Sequence, residues 1–183
     1  MESRSQEQYA VVAFAPRDQI EDLRKVRAQS GMPPAMDLHV TLRRPFAMPV
    51  HDGQKIALDA LRRAVQGFPP FGIRTSDAEV IAQESGHAII LPLEESPNLL
   101  ELRRRVGQEL ARRVGIPIGD GGQRSRPHAT IIGGIRQGDL ERSLTVVRGW
   151  RLNYSWIVRE IDLIVRADGG LWRSVAHFPF GRP

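Results

Sequence analysis

"LHVTLRRPF", residues 38–46, and "RPHATIIGGI", residues 126–135, decide how the rest of this chain is read. Each is an apolar, β-branched run in which a histidine and a threonine stand two positions apart. Side chains alternate between the two faces of a strand, so His39 and Thr41 share one face while Val40 and Leu42 take the other. His128 and Thr130 stand together in the same way, opposite Ala129 and Ile131. Arg43 has the parity of positions 39 and 41 and on that spacing continues the first polar face. One His-x-Thr is weak evidence, because a strand histidine beside a β-branched residue is commonly structural. Two copies raise a sharper question, which is whether the chain is written twice.

Working outward from each copy, the elements do repeat. "YAVVAFAP" (9–16) reads as a buried strand stopped by Pro16. "RDQIEDLRKVRAQ" sets Ile20, Leu23 and Val26 at helical spacing, and "SGMPPA" (30–35) ends that helix. The first His-x-Thr strand follows, from Asp37 to Phe46. "GQKIALDALRRAVQGF" then carries a helical stripe of Ile56, Ala57, Leu61, Ala64 and Val65, and "PPFGIRTSDAEVIAQ" reads as a turn and one long strand. The order now begins again with the strand "HAIILPLEE" (87–95). Ser96-Pro97 supplies a helix cap and a first-turn proline, and Leu99, Leu102, Val106, Leu110 and Val114 line one face of the helix they open. A glycine-rich loop (115–127) leads to the second His-x-Thr strand. A short helix, "GDLERSLTVVRG", comes next, then the strand "WIVREIDLIVRA", the turn "DGG" (168–170) and a last strand, "LWRSVAHFPF". The expected organisation is α+β: one domain, 1–183, of two pseudo-repeat lobes at about 9–83 and 86–167 around one cleft, closed by a strand at 170–180.

Composition limits the chemistry. The 183 residues are 41% hydrophobic and 26% charged, as in ordinary globular proteins, and no apolar run is long enough to span a bilayer. "MESRSQEQYAVVAFAP" lacks the basic region and cleavage site of a signal peptide, so a cytoplasmic protein is expected. With no cysteine there are no disulfides, thiolate nucleophiles or thiolate zinc sites. The net charge of +5 favours a polyanionic partner, and 24 of the 26 basic residues are arginine, the better bidentate phosphate ligand. GC-rich codon usage produces the same arginine bias, so charge supports a nucleic-acid ligand only weakly.

Placed across a cleft from one another, the two motifs would set two imidazoles around a central position with two hydroxyls beside it. That arrangement suits displacement at phosphorus. One neutral histidine takes a proton from the attacking oxygen while the other, as imidazolium, protonates the leaving oxygen. A histidine with its ordinary pKa of about 6.5 serves in either role. Thr41, Thr130 and a nearby arginine would donate to the non-bridging oxygens, and the scheme requires no metal or cofactor. Pseudo-symmetry leaves open which histidine is acid and which is base.

"HVTLRRPF" and "RPHATI" resemble the paired signatures of the 2H phosphoesterase superfamily, in particular its 2′-5′ RNA ligase and RNA 2′,3′-cyclic phosphodiesterase branch, and "YAVVAFAPRDQIEDLRKV" is similar to that family's first strand and helix. The resemblance implies a bilobal fold with two antiparallel sheets lining a central cleft and helices outside. It implies His39 and His128 as the catalytic pair, with Thr41 and Thr130 holding phosphate. The implied substrate is RNA or a nucleotide bearing a 2′,3′-cyclic phosphate or a 2′-5′ linkage, handled without a metal; a monomer without membrane association is expected. A binding module using the same cleft without turnover, or a phosphoesterase for a small nucleotide unrelated to RNA, are the competing readings. This sequence departs from the pattern after the second motif, where "IIGGI" has no basic residue; Arg124 and Arg126 in the preceding loop are candidates to supply that contact.

The remaining features read more simply. "GDGGQRSR" lacks the Gly-Lys-Ser/Thr ending of a phosphate loop and precedes a strand instead of a helix. His51 reads as solvated, and His87 and His177 as structural or surface residues. Asp37 is a candidate to orient the His39 ring through its carboxylate, with an exposed aspartate at the strand start as the simpler reading. The arginine runs at 103–105 and 112–113 are interspersed with Glu101 and Glu109, as on a solvated helix face. Among the aromatics Phe46, Trp150, Tyr154, Trp156 and Trp172, Phe46 is the first candidate for stacking on a base, because it lies just past the first motif.

Overall fold

A computed structural model describes residues 7–31, 36–49, 52–83, 86–118, 126–150, 152–167 and 170–181. In chain order the elements are β1 (Gln8–Phe14), α1 (Glu21–Gln29), β2 (His39–Ala47), α2 (Gly53–Val65), β3 (Phe71–Arg74), β4 (Glu79–Gln83), β5 (Gly86–Pro92), α3 (Pro97–Val114), β6 (His128–Ile135), α4 (Leu140–Arg148), β7 (Ser155–Val158), β8 (Glu160–Arg166) and β9 (Arg173–Pro179). The expected α+β class holds. An antiparallel sheet runs in the order β4-β5-β6-β2-β1-β8-β9, and β3 pairs with β7 in a second, two-stranded sheet. The large sheet consists of two halves, β4-β5-β6 and β2-β1-β8-β9. They join through a single register pair, Val40 with Ala129, the central residues of the two motifs.

The repeat is visible in space as an exchange. β4, the last strand of the first repeat, pairs with β5 of the second, and β8, the last large-sheet strand of the second, pairs with β1 of the first. The corresponding strands β3 and β7 pair with each other. Two stretches expected as single long strands are each broken to make this possible, one between β3 and β4 and one at Arg159, between β7 and β8. The second break follows from burial. Trp156 and Val158 join the main core from even positions but Ile161, Leu163 and Val165 from odd ones, with Ile164 buried in the separate cluster on the other face, and one continuous strand cannot turn both sets the same way.

One face of the sheet and the helices share a continuous core, with Leu23 and Val26 of α1, Leu61 of α2 and Leu99, Leu102, Val106 and Leu110 of α3 packed over Val11, Val40, Leu91 and Ala129. α3 matches its sequence expectation from end to end because its signals are local. The Ser96 hydroxyl accepts from the Leu99 amide (3.3 Å), and Gly115 closes the helix in the left-handed region. The opposite face of the sheet carries a separate small apolar cluster, Ala10, Val12 and Ile164, with Phe14, Met36 and Trp172 against it. That open face receives the motif side chains. No helix among the described residues is long and apolar enough to cross a membrane.

Candidate active site

His39 lies opposite Phe14, and Thr41 opposite Val12, on β1; His128 lies opposite Pro92, and Thr130 opposite Ile90, on β5. The two motifs are thus held identically in their own halves. Because β2 and β6 run antiparallel through the Val40–Ala129 pair, extending that register one residue each way sets His39 beside Thr130 and Thr41 beside His128. The four side chains share one face of the sheet, and His39 and Thr130 line the same cavity of about 580 Å³. His128 lines a neighbouring cavity together with Arg44, Glu79 and Arg126.

Both imidazoles are held by the backbone. Nδ1 of His39 donates to the carbonyl of Asp37 (2.8 Å) and Nδ1 of His128 to the carbonyl of Arg126 (3.1 Å), in each case two residues upstream. A carbonyl can only accept, so Nδ1 carries the hydrogen and Nε2 is left for the cleft. The Asp37 carboxylate is therefore not the partner of the ring. The Asp37 side chain turns instead to Arg17 (3.5 Å) and Arg24 (3.4 Å), and only its backbone orients the ring. Burial lowers the pKa of His39, and the positive charges of Arg27 and His128 lower it further, against the opposing effect of the Asp37 hydrogen bond.

Arg43 is not on this face. Between Thr41 and Arg43 the pairing with β1 slips by a residue, so Arg43 lies opposite Val11, whose side chain belongs to the main core. A bulge of this kind breaks the alternation on which strand parity depends. Its guanidinium donates to the Pro117 carbonyl (2.5 Å). Arg44 takes the cleft position, beside His128. β6 bulges at the same place, between Thr130 and Ile132, and Gly133 reaches the His39 cavity. The basic residue after the first motif and the glycine after the second therefore stand in corresponding positions.

Arg126 lies in the His128 cavity and is tied to Glu79 (3.1 Å); Arg124 and His51 fall outside the described residues. Phe46 is withdrawn from the cleft, buried in the core with its ring stacked on Tyr9. An aromatic that does stand at the site is Trp172, which lines the His39 cavity and the adjoining larger one and carries the Arg166 guanidinium over its ring at 4.8 Å. His87 stands opposite Ile135 on β6, at the far end of β5 from the motif. His177 lies on β9 with its Nδ1 2.5 Å from the buried carboxylate of Asp162, which also accepts from Ser174 (3.1 Å). Burial raises the pKa of Asp162, the charge of His177 opposing it. Glu160, Asp162 and His177 form the one cluster of His, Asp or Glu among the described residues whose ligand atoms, all within 4.8 Å of one another, could hold a cation. It is borne by β8 and β9, and β1 separates it from the motif strands.

One residue of the site carries no sequence signal. Arg27 of α1 is 9% exposed and donates from Nε to Ile131 O (2.7 Å), from Nη2 to Thr130 O (3.1 Å) and from Nη1 to Met36 O (2.8 Å). It reads in the sequence as one more arginine of a charged helix, because its partners are backbone carbonyls, the two on β6 more than a hundred positions away.

A pseudo-two-fold α+β fold with a His-x-Thr strand from each half meeting at its axis is the architecture of a 2H phosphoesterase. The sequence profile of the 2′-5′ RNA ligase superfamily matches residues 12–170, and the chain belongs to that superfamily. Among curated protein sequences none matches it significantly. Solved structures share the fold at low identity. Escherichia coli LigT, complexed with 3′-AMP, superposes with a TM-score of 0.68 at 17% identity, covering 97% of this chain and 99% of LigT. TT0787 of Thermus thermophilus gives 0.66 at 16%, covering 94% of this chain and 97% of its own. Kluyveromyces marxianus Usb1 with uridine monophosphate gives 0.54 at 12%, covering 96% and 99%.

Proposed function

We propose that the protein is a metal-independent phosphodiesterase that opens 2′,3′-cyclic phosphates on RNA ends or nucleotides, using His39 and His128 as the acid/base pair, with 2′-5′ ligation as the reverse of the related cleavage. The observation that carries this reading is the antiparallel junction at Val40–Ala129, which sets each histidine beside the other motif's threonine with both Nε2 atoms left for the cleft. Relatives of the same fold bind 3′-AMP and uridine monophosphate, which supports a nucleotide ligand.

In this scheme a water oxygen attacks phosphorus while Nε2 of one neutral histidine takes its proton. The bond from phosphorus to one ribose oxygen breaks, and the other histidine, as imidazolium, protonates that oxygen to leave a phosphomonoester. Burial and the nearby Arg27 charge favour the neutral form of His39, which suits it to be the base, with His128 as the acid. Thr41 and Thr130 donate to the non-bridging oxygens, with Arg44 and Arg126 on the His128 side adding positive charge. Each proton passes through a histidine, so no Lewis acid is called for. The protein is read as acting as a cytoplasmic monomer.

The test is a panel of 2′,3′-cyclic, 3′,5′-cyclic and 2′-5′-linked substrates, mononucleotide and oligonucleotide, run with chelator and with products resolved as 2′- or 3′-phosphates. Turnover of the 2′,3′-cyclic members is expected, and His39→Ala and His128→Ala should each lower kcat by about 10²-fold or more, the usual worth of a positioned acid or base. Full activity in both variants overturns the reading. Tight binding without product from any substrate would point to a binding module instead.

A further inference from the structure

The junction that forms the site is the weakest seam of the large sheet. Every other strand pair in that sheet holds several register pairs, whereas β2 and β6 share one. The separation of the two motif strands therefore depends on something other than a ladder of main-chain hydrogen bonds. Arg27 spans this seam. Two of its donors reach Thr130 and Ile131 on β6, and a third reaches Met36, three residues before His39 on the β2 side.

We propose that Arg27 is a positioning residue for the two-histidine site, holding β2 and β6 at their working separation by tying two carbonyls of β6 to that of Met36, in the segment leading into β2, across the Val40–Ala129 junction. The inference rests on the proposed two-histidine reading for its kinetic consequences only. A buried cation is costly unless its donors are satisfied, and among the described residues the three hydrogen bonds of Arg27 go to neutral carbonyls, with no carboxylate bonded to it. The planar, forked guanidinium reaches three carbonyls in fixed directions, which the single ammonium of a lysine cannot do. The charge has a second effect. His39 faces Arg27 from α1, Asp37 from its own strand entry, His128 from β6 and, across the cavity they line together, Arg166 from β8. Of these, Arg27 and His128 oppose protonation of His39 and Asp37 favours it.

The experiment compares Arg27→Lys and Arg27→Met with the unsubstituted protein by steady-state kinetics across pH and by NMR. Misplacing a catalytic group by about 1 Å costs about 10²-fold, so Arg27→Met should lose about that factor in kcat with KM little changed. The acidic limb of its kcat/KM profile should move to higher pH, because the charge that opposes His39 protonation is gone. Arg27→Lys keeps a charge but not the fork, so it should leave the limb in place and still lose about tenfold or more in kcat. The main-chain Overhauser contact between Val40 and Ala129 should weaken in both variants, a readout independent of any substrate. If Arg27→Met does not fold, the lysine variant decides. A folded Arg27→Lys with unchanged kcat and an unchanged Val40–Ala129 contact overturns the proposal. If the unsubstituted protein turns over none of the cyclic phosphates, the proposed reaction fails but the junction contact and the His39 ring titration still decide the role of Arg27.

Discussion

His39 meets the edge of the Phe14 ring at 5.8 Å between centroids, is largely withdrawn from water and lies near the Arg27 charge. Its folded pKa therefore lies below the unfolded value of about 6.5. Two expectations follow from that direction. If His39 is the base, the acidic limb of kcat/KM should fall below pH ~6.5, and a limb at or above that value would argue against the assignment. As pH falls from about 6.5 through the folded pKa, the unfolded chain binds the extra proton, so stability drops over that window; His39→Gln should flatten that part of a urea-denaturation series. At this scale the sequence exposed the motif residues themselves. It did not expose what orients them, because the acceptors at Asp37 and Arg126 are main-chain atoms, which every residue possesses. The same holds for Arg27, whose burial and bonding depend on carbonyls more than a hundred positions away in β6.

The elements differ in how much of their structure is local. α3 starts at Ser96-Pro97 and is held by a cap that the sequence announces, and Ser96→Ala should cost about 1 kcal/mol in thermal or urea unfolding while leaving turnover intact. A smaller loss would mean that packing of the Leu99–Leu110 stripe alone sets the helix start. The bulges of β2 and β6 are another matter. Each motif strand slips twice against its neighbour, directly after the threonine and again two or three residues on. The second slip in β6 coincides with Gly134, whose φ of 68° is a glycine conformation, so "GG" within a strand pattern is a local mark of that slip. The first slip, through Leu42–Arg43 and Ile131–Ile132, has no such mark. For that reason strand parity assigned Arg43 to the cleft, where the structure has Arg44.

On the scale of the whole molecule the two repeats are exchanged. Neither can complete its half-sheet alone, since β1 needs β8 and β5 needs β4. Fragments 1–84 and 85–183 should each lack a cooperative unfolding transition in circular dichroism, and the full chain should unfold in one step; a half that melts cooperatively by itself would contradict this. Sequence alone determined the α+β class, the doubled element order and the four residues of the paired motifs, because hydrophobic period, helix caps and a repeated His-x-Thr are all local patterns. Tertiary structure alone decided that each histidine faces the other motif's threonine, that Arg44 and Trp172 stand at the cleft in place of Arg43 and Phe46, and that Arg27 bridges the seam. These are matters of register between strands and of hydrogen bonds to distant backbone. Both are set by which chain segments pack together, and that is not written in the spacing of residues within any one segment.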